Sequence, residues 1–327
     1  MKSRHSLSVV IPVLNEAEGM AALLPQVEQQ LRRCRVEWEI VIVDDGGNDN
    51  LAEVVADFER HADGPCNVQL LQLSRNFGKE AALTAGLAAA RGDAVVCMDG
   101  DGQHPPTLLP AMVAQWRAGY DTVIAKQGSR AHEPLLLAWA KRRFYAFLQG
   151  HERFRIPAHA GDFRLLDRKV VRALLQLPER SRFMKGLYAW LGFRTAMIDF
   201  DAAPRTAGSS KFRFRQLAEL ATLGITAFSL RPLRMVSAAG ALVSFAAVAY
   251  GLYIAVETLV FGNAVSGWAT LASGMMLLSG VQLLCLGVIA EYLGRVYEEA
   301  KQRPLYVLDE TVDHSQLGQR ERSMKAI

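Results

Sequence analysis

The chain contains 327 residues, of which half are apolar and 21% are charged, and its net charge is +4 with a pI near 8.9. This length accommodates one large domain with an appendage or two domains, and the mild basic excess suits an anionic membrane surface or a phosphorylated substrate as well as nucleic acid. The four cysteines are scattered singly, which favours neither a disulfide framework nor a zinc site and indicates a cytosolic catalytic part.

The first half of the chain alternates short apolar runs with helical patterns. The first run ends at Pro12 and Asn15 without a small-residue cleavage site, so we expect a strand there and not a signal peptide. Strands alternating with helices of this length predict βαβ units and a parallel, doubly wound sheet. The predicted strands cover residues 7–13, 39–43, 68–73, 94–98 and 121–126, and the helices between the first four cover 15–31, 51–58 and 78–90.

Acidic residues follow the first, second and fourth predicted strands. Glu16, Asp45 and the pair Asp99 and Asp101 should therefore lie around one crevice at the carboxyl edge of the sheet. Two carboxylates one residue apart can converge on a hard cation that keeps positions free for substrate phosphate oxygens, so we hypothesise a metal that bridges a diphosphate. Local alternatives remain: the Asp-Gly pairs also favour turns, and Glu16 also suits the first turn of a helix.

Other nucleotide-binding patterns are absent from the sequence. No G-x-G-x-x-G turn lies at a strand–helix junction, which argues against a nicotinamide or flavin enzyme, and there is no P-loop. A nucleotide bound here would have its phosphates neutralised by a metal on Asp99 and Asp101. Glu16 and Asp45 would then accept hydrogen bonds from ribose hydroxyls or a base N–H.

The middle of the chain contains two basic segments and one isolated acid. Residues 127–155 carry six arginines and lysines, including Arg130, and are typical of either a substrate loop or a solvated basic surface, the latter being favoured for any single residue. Asp162 lies between a glycine and an apolar run, where a helix N-cap or a turn is the alternative to a functional role. Residues 203–212 would gather donors around an anion, with Ser210 as a possible N-cap.

The last third of the chain predicts a membrane anchor. Residues 236–256 and 268–290 are uncharged runs long enough to cross a bilayer, and a helical pattern over 214–228 could lie along the membrane or pack on the soluble domain. Arginines and lysines flank the two runs but not the loop between them, so the positive-inside rule predicts that both termini and the catalytic domain face the cytoplasm. A helical hairpin buried in a soluble core is the alternative. The final twenty or so residues are polar and predict disorder.

Four parts of the chain follow from these patterns. They are a catalytic domain (1–211), a juxtamembrane amphipathic helix (212–230), a two-helix transmembrane hairpin (231–292, with spans near 235–257 and 268–290) and a cytoplasmic C-terminal tail (293–327).

With these motifs in place, the chain resembles the family 2 inverting glycosyltransferases of the GT-A fold that use polyprenyl phosphate. It is most similar to the bactoprenol glucosyltransferases, and next to the dolichol-phosphate mannose synthases and the aminoarabinose transferases. The resemblance runs from about residue 8 to residue 304, and the order and spacing of the motifs carry it together with the paired spans. The motifs are VIPVLNE (10–16), IVDDG (42–46), RNFGK (75–79), DGD (99–101), GDFR (161–164) and residues 205–211.

This resemblance implies a set of site residues, a cofactor and partners. The metal is Mg²⁺ or Mn²⁺, and the partners are a nucleotide-sugar donor, a polyprenyl phosphate lipid, the membrane and other copies of the chain, with no nucleic acid. The residues implied to hold the donor are Pro12, Leu14, Glu16, Asp44, Asp45, Lys79, Asp99 and Gly100. The metal ligands are Asp99, Asp101 and Gln103, with Asp101 and Asp162 at the reacting centre. The residues implied to bind the acceptor phosphate are Arg130, Arg205, Ser209 and Lys211.

Two positions depart from the family pattern, and two other functions compete with this one. Gly47 occupies a position where the pattern usually has Ser, and His104 one where a carboxylate or Asn commonly precedes Pro-Pro. A processive polysaccharide synthase would carry a Q-x-x-R-W motif and more spans. A membrane-anchored nucleotide-binding protein without catalysis is disfavoured by the intact Asp99 and Asp101. The preferred hypothesis is transfer of glucose from UDP-glucose to undecaprenyl phosphate, with other nucleotide sugars as alternative donors.

Overall fold

The computed structural model describes residues 5–61, 67–127, 160–180, 182–200, 231–261 and 267–317. The chain divides into two compact units. One unit combines residues 1–213 with 303–327, and the other comprises residues 214–302.

The first unit is built on an eight-stranded sheet with the strand order β7-β5-β6-β4-β1-β2-β3-β8. The strands are β1 (Ser6–Val13), β2 (Glu37–Asp44), β3 (Val68–Leu73), β4 (Ala94–Cys97), β5 (Thr122–Gln127), β6 (Ala160–Asp167), β7 (Thr195–Phe200) and β8 (Leu308–Asp313). The helices of this unit are α1 (Ala17–Cys34), α2 (Leu51–His61), α3 (Lys79–Ala89), α4 (Leu109–Arg117), α5 (Arg168–Leu175) and α6 (Met184–Leu191), with a 3₁₀ turn at Pro106–Leu108.

The centre of the sheet forms because its strands are apolar on both faces. In β1 and β2 every residue after the first is buried, as expected for parallel strands covered by helices on both sides. Helix α1 presents Met20, Leu24 and Leu31, all fully buried, to one face of the sheet. The predicted βαβ organisation of the first four strands is confirmed, because β1 pairs in parallel with both β2 and β4, and β2 pairs in parallel with β3.

Two strands run against the others, so the sheet is mixed and mostly parallel. Strand β6 is antiparallel to both β4 and β5, and β8 is antiparallel to β3. Strand β8 lies within the polar C-terminal segment for which the sequence predicted disorder. That prediction is wrong for residues 308–317, because their backbone and side chains pair with the catalytic unit.

The second unit contains two long helices, α7 (Arg231–Phe261) and α8 (Trp268–Ala300). Segments Leu233–Ile254 and Gly274–Ala300 are long and apolar enough to cross a membrane. Their apolar side chains are exposed, as in Leu242 at 70% and Phe245 at 74%, whereas a hairpin buried in a soluble core would enclose them.

Candidate active site

The acids that follow β1 and β4 meet at the carboxyl edge of the sheet. Glu16 is the residue before α1, and Gly100 belongs to the turn that follows β4. A methyl group on Gly100 would lie 2.6 Å from Glu16 Oε2 and 2.8 Å from Val13 Cγ1, so the Glu16 carboxylate lies directly against this turn. Of the other residues implied to hold the donor, Pro12 is buried within β1, whereas the Leu14 side chain is 39% exposed at the edge.

Lys79 joins two carboxylates at this edge. Its ammonium nitrogen lies 2.7 Å from Asp99 Oδ1, 2.8 Å from Asp99 Oδ2 and 2.9 Å from Asp162 Oδ2. Burial alone would lower the pKa of Lys79, but the attraction of Asp99 and Asp162 outweighs it and raises that pKa. Lys79 is therefore a fixed positive charge between Asp99, in the turn after β4, and Asp162 of β6.

Asp162 is the third residue of strand β6 and neither a helix N-cap nor a turn residue. Its burial favours the neutral acid, but the nearby Lys79 and Lys185 outweigh that cost and lower its pKa to about 2. The segment around it is held by Arg164, which is 1% exposed and donates a 2.6 Å hydrogen bond to the Gly161 carbonyl. The guanidinium of Arg164 also stacks on the Tyr188 ring at 3.9 Å. Asp162 is therefore ionised at neutral pH and rigidly placed.

The Asp99–Asp101 turn is fixed by two local hydrogen bonds. The Gln103 N–H donates to Asp101 Oδ1 at 3.0 Å, and the Asp99 N–H donates to His104 Nδ1 at 2.9 Å. The His104 ring stacks on Phe163 with 4.8 Å between centroids. Burial lowers the pKa of His104, against the attraction of Asp99, which favours the neutral ring that can accept this bond. His104 thus provides a neutral acceptor at its unusual position and links the turn to β6.

The two acids at the end of β2, Asp44 and Asp45, are engaged by backbone amides. Asp45 Oδ1 accepts from the Phe77 N–H at 2.7 Å and Oδ2 from the Gly78 N–H at 2.9 Å, which fixes the loop before Lys79. Burial raises the pKa of Asp45, although these two bonds oppose the shift. Asp44 Oδ1 accepts from the Gly47 N–H at 2.8 Å. Both acids therefore shape the edge of the crevice through its loops.

The side chains of the β4 turn suit a divalent cation. Mg²⁺ and Mn²⁺ prefer oxygen ligands, and Mg²⁺ is usually held by one or two carboxylates together with substrate phosphates. The carboxylates of Asp99 and Asp101, with the Gln103 amide oxygen, supply that type of ligand. Within the described part of the chain no three His, Cys, Asp or Glu side chains form a complete metal site, so substrate oxygens would have to complete it. A cation here would share Asp99 with Lys79.

The four residues implied to bind the acceptor phosphate lie outside the described residues, as do residues 128–155 of the basic segment and the juxtamembrane segment 212–230. They are Arg130, Arg205, Ser209 and Lys211.

Several residues that organise the site carry no recognisable sequence signal. Asp49 Oδ2 accepts from the Ala17 N–H at 2.8 Å, so the loop after β2 caps helix α1. Asn15, whose φ is +56°, accepts from the Asn48 N–H at 2.9 Å. These contacts join loops about thirty positions apart, and a pattern of neighbouring residues does not encode them. The backbone preference of Asn for left-handed φ was the only local hint.

Family models match both units of the chain. Residues 8–175 match the model "Glycosyl transferase family 2", and residues 231–296 match "GtrB C-terminal hairpin". The first match covers more than half of the chain. The chain belongs to glycosyl transferase family 2. The resemblance inferred from the motifs is confirmed.

Individual relatives extend over nearly the whole chain. An uncharacterized glycosyltransferase of Synechocystis is 42% identical, with 93% of this chain and 95% of the relative covered. A bactoprenol glucosyl transferase of Shigella phage SfV is 39% identical, with 92% of this chain and 97% of the relative covered. Among solved structures, a mannosyltransferase from Pyrobaculum calidifontis superposes with a TM-score of 0.51 at 18% identity, covering 91% of this chain and 88% of that one. The structural match confirms the expected GT-A-like fold.

Proposed function

We propose that this chain transfers a hexosyl residue, preferably glucose, from a UDP-sugar to polyprenyl phosphate at the cytoplasmic face of a membrane. The observation that carries this proposal is the placement of Asp99, Lys79 and Asp162 together at the carboxyl edge of a family 2 domain whose chain continues into two apolar helices. The bactoprenol glucosyl transferases similar to this chain over 92% of its length support the choice of acceptor and sugar.

The donor diphosphate would lie over the turn that follows β4. Asp99, Asp101 and the Gln103 amide would hold Mg²⁺ or Mn²⁺ there, and the bound cation would supply Lewis-acid stabilisation of the diphosphate leaving group. Lys79, kept cationic by its two carboxylate partners, adds a second positive charge beside the same phosphates. Glu16 and the Pro12–Leu14 segment lie alongside this turn and would contact the nucleoside.

The acceptor needs little help from a general base. The second pKa of a phosphate monoester is about 6, so the attacking oxygen of polyprenyl phosphate is already largely deprotonated at neutral pH. A carboxyl with a pKa of about 2 is a weak base, which agrees with an orienting role for Asp162. We therefore assign Asp162 to the positioning of donor or acceptor, with inversion at the sugar through in-line attack.

The membrane hairpin would bring the lipid phosphate to the domain. Arg231 and Arg234 precede the uncharged run 236–256, and Arg295, Lys301 and Arg303 follow the uncharged run 268–290. The positive-inside rule supports a cytoplasmic catalytic domain and cytoplasmic termini. The basic residues Arg130, Arg205 and Lys211, with Ser209, remain our candidates for the acceptor phosphate.

The test uses purified full-length protein in detergent with undecaprenyl phosphate, Mg²⁺ or Mn²⁺ and a panel of radiolabelled nucleotide sugars. We expect label to enter the lipid phase from UDP-glucose, and EDTA to abolish it. Asp101→Asn should lower transfer by about 100-fold or more, because it weakens the metal site without changing the size of the side chain. Glu310→Gln, which removes a carboxylate on β8 at a distance from this turn in the sequence, is the matched control and should retain full activity.

Two results would refute the proposal. Transfer that persists in EDTA would exclude the role of a metal. Folded protein that binds a nucleotide sugar but labels no lipid from any donor would favour a membrane-anchored binding protein without catalysis.

A further inference from the structure

The C-terminal strand β8 forms one wall of a cavity at the carboxyl ends of β2 and β3. The cavity has a volume of about 400 Å³, and Asp309 of β8 lines it together with Gly46 and Gly47. The remaining wall comprises the end of β3 and the loops that follow β2 and β3, and it carries amide, hydroxyl, guanidinium and carboxylate groups. These groups belong to Asn48, Gln72, Ser74, Arg75, Asn76 and Asp44.

A β-bulge places Asp309 in this wall. Leu308 lies opposite Leu73 and Glu310 lies opposite Gln72, so Asp309 is an extra residue with no partner on β3. Bulges of this kind redirect a side chain and are frequent beside active sites. The position of Asp309 is thus set by the pairing of two strands far apart in the chain.

The carboxylate of Asp309 is available to a ligand. Asp44 and Asp45, the other acids near the end of β2, accept hydrogen bonds from backbone amides. Asp309 is exposed and makes no hydrogen bond or ion pair with the residues that the structure describes. Asp309 lines the cavity, and its carboxylate therefore has no internal donor among the described residues.

The cavity lies where the base of a bound nucleotide would reach. The sheet order β4-β1-β2-β3-β8 separates the Asp99 turn from the ends of β2 and β3 by two to three strand spacings, or about 10 to 14 Å, and from β8 on the far wall by four, or about 19 Å. The base is the part of a nucleoside diphosphate farthest from the diphosphate. A donor whose diphosphate lies at Asp99 can therefore extend along the carboxyl edge and place its base between β2 and β8.

We propose that Asp309 binds the base of the donor nucleotide by accepting a hydrogen bond from a ring N–H, and that it selects uracil over cytosine. This inference rests on the proposed use of a nucleotide-sugar donor. Uracil presents an N–H between two carbonyl oxygens. The cavity offers the Asp309 carboxylate as an acceptor for the N–H, and the amides of Asn48 and Asn76 and the guanidinium of Arg75 as donors for the carbonyl oxygens. Cytosine presents a ring nitrogen lone pair at the same position, so the carboxylate would face an acceptor and reject it.

The strand that carries Asp309 is anchored at both ends. Near the cavity, the Ser74 N–H donates to the Val307 carbonyl at 3.0 Å. At the opposite end, the Ser315 hydroxyl donates to the buried Glu39 carboxylate at 2.6 Å, and Arg91 forms an ion pair with Asp313. The wall of the base site is therefore a fixed part of the catalytic unit, although it comes from the end of the chain.

The test measures binding and turnover separately. Titration calorimetry on full-length protein in detergent, with Mn²⁺ present, gives the affinities for UDP, GDP and CDP, and the lipid-transfer assay gives KM for the donor. Asp309→Asn is nearly isosteric and should weaken UDP binding by about tenfold and reduce the preference for UDP over CDP. Glu310→Gln makes the same change of charge on the next residue of β8, which does not line the cavity, and should leave both affinities unchanged.

The outcomes separate this inference from the proposed function. If wild-type protein transfers sugar but Asp309→Asn keeps the UDP affinity and the UDP-to-CDP preference, the role of Asp309 is refuted and the function stands. An equal loss in Glu310→Gln would also refute it, because a general effect of charge would then explain the change. GDP binding that also falls in Asp309→Asn would support recognition of a ring N–H, since guanine carries one. Absence of nucleotide binding by wild-type protein would refute both proposals. Hydrogen exchange of the β8 amides in each variant verifies that the strand remains paired.

Discussion

Removing one hydroxyl at Ser315 should release the C-terminal strand. Ser315 is fully buried, and its hydroxyl is one of four donors to the Glu39 carboxylate, which is also fully buried. The other three are the Ser8 hydroxyl at 2.6 Å, the Arg91 N–H at 2.6 Å and the Gln69 amide at 2.9 Å. Residues near the starts of β1, β2 and β3 therefore meet Ser315 of the C-terminal segment at one buried carboxylate.

The size of the effect follows from the type of bond. A hydrogen bond to a charged group contributes about 1.5 to 3 kcal/mol, and the loss of Ser315 leaves Glu39 Oε2 with Gln69 as its remaining side-chain donor in the described contacts. We expect Ser315→Ala to lower the free energy of opening of β8 by about 2 kcal/mol, which raises its open fraction roughly 30-fold. The Arg91–Asp313 ion pair and the ladder to β3 remain, so the strand stays mostly paired.

Hydrogen exchange followed by mass spectrometry measures this opening directly. The reporting amides are those of His314, bonded to the Val68 carbonyl at 3.0 Å, and Ser74, bonded to Val307. Ser74→Ala is the matched control, because Ser74 contacts the tail through its backbone N–H and should change protection by less than about 0.5 kcal/mol. Unchanged protection of His314 in Ser315→Ala would refute the claim that Glu39 anchors the tail. If protection falls and Asp309 has the proposed role, KM for the donor should rise in parallel.

Three further perturbations test the site and its supports. Burial raises the pKa of Glu80 from 4.5 to about 7, so between about pH 4.5 and 7 the folded state binds a proton that the unfolded state has lost. The free energy of unfolding should therefore fall as pH rises through this range. Glu80→Gln should flatten that pH dependence in denaturant titrations. Gly100→Ala should lower the transfer rate roughly tenfold or more, because the added methyl group would displace Glu16, and a wild-type rate would contradict this. Gly46→Ala should destabilise by more than about 2 kcal/mol in thermal unfolding, because φ is +73° and the methyl group would lie 2.4 Å from the Arg75 carbonyl carbon. Gly119→Ala is the comparison: its φ is +92°, but the added methyl group would have no atom closer than 3.9 Å. The difference between the two variants gives the steric part of the destabilisation at Gly46.

Much of the central sheet could be predicted because its signals are local. The strand predicted over 68–73 matches β3 in full, and the strand predicted over 94–98 matches β4 to within one residue. Buried parallel strands are continuous apolar runs, and the acids that follow them stand out by contrast. The position of Asp99 and Asp101 after β4 followed from that contrast alone.

The contacts that complete the site could not be predicted, because they depend on pairing between distant segments. Nothing near Asp162 in the sequence indicates that Lys79 lies 2.9 Å from its carboxylate, since 83 positions separate the two residues. The tail was predicted to be disordered because its composition is polar. An edge strand needs few apolar residues when a buried carboxylate such as Glu39 and an ion pair such as Arg91–Asp313 fix it.

The direction of the two antiparallel strands explains why distant acids reach the carboxyl edge. Asp162 lies two residues before Arg164, which pairs with Cys97 at the end of β4, so the start of β6 lies beside the Asp99 turn. A parallel β6 would carry Asp162 to the other end of the sheet, about 17 Å away at 3.4 Å per residue, beyond the reach of Lys79. The same reasoning applies to β8, whose first residue pairs with Leu73, the last residue of β3. An antiparallel strand begins at the edge where the parallel strands end. A segment from later in the sequence can therefore add an acid to the site at that edge, and both Asp162 and Asp309 lie at the start of such a strand.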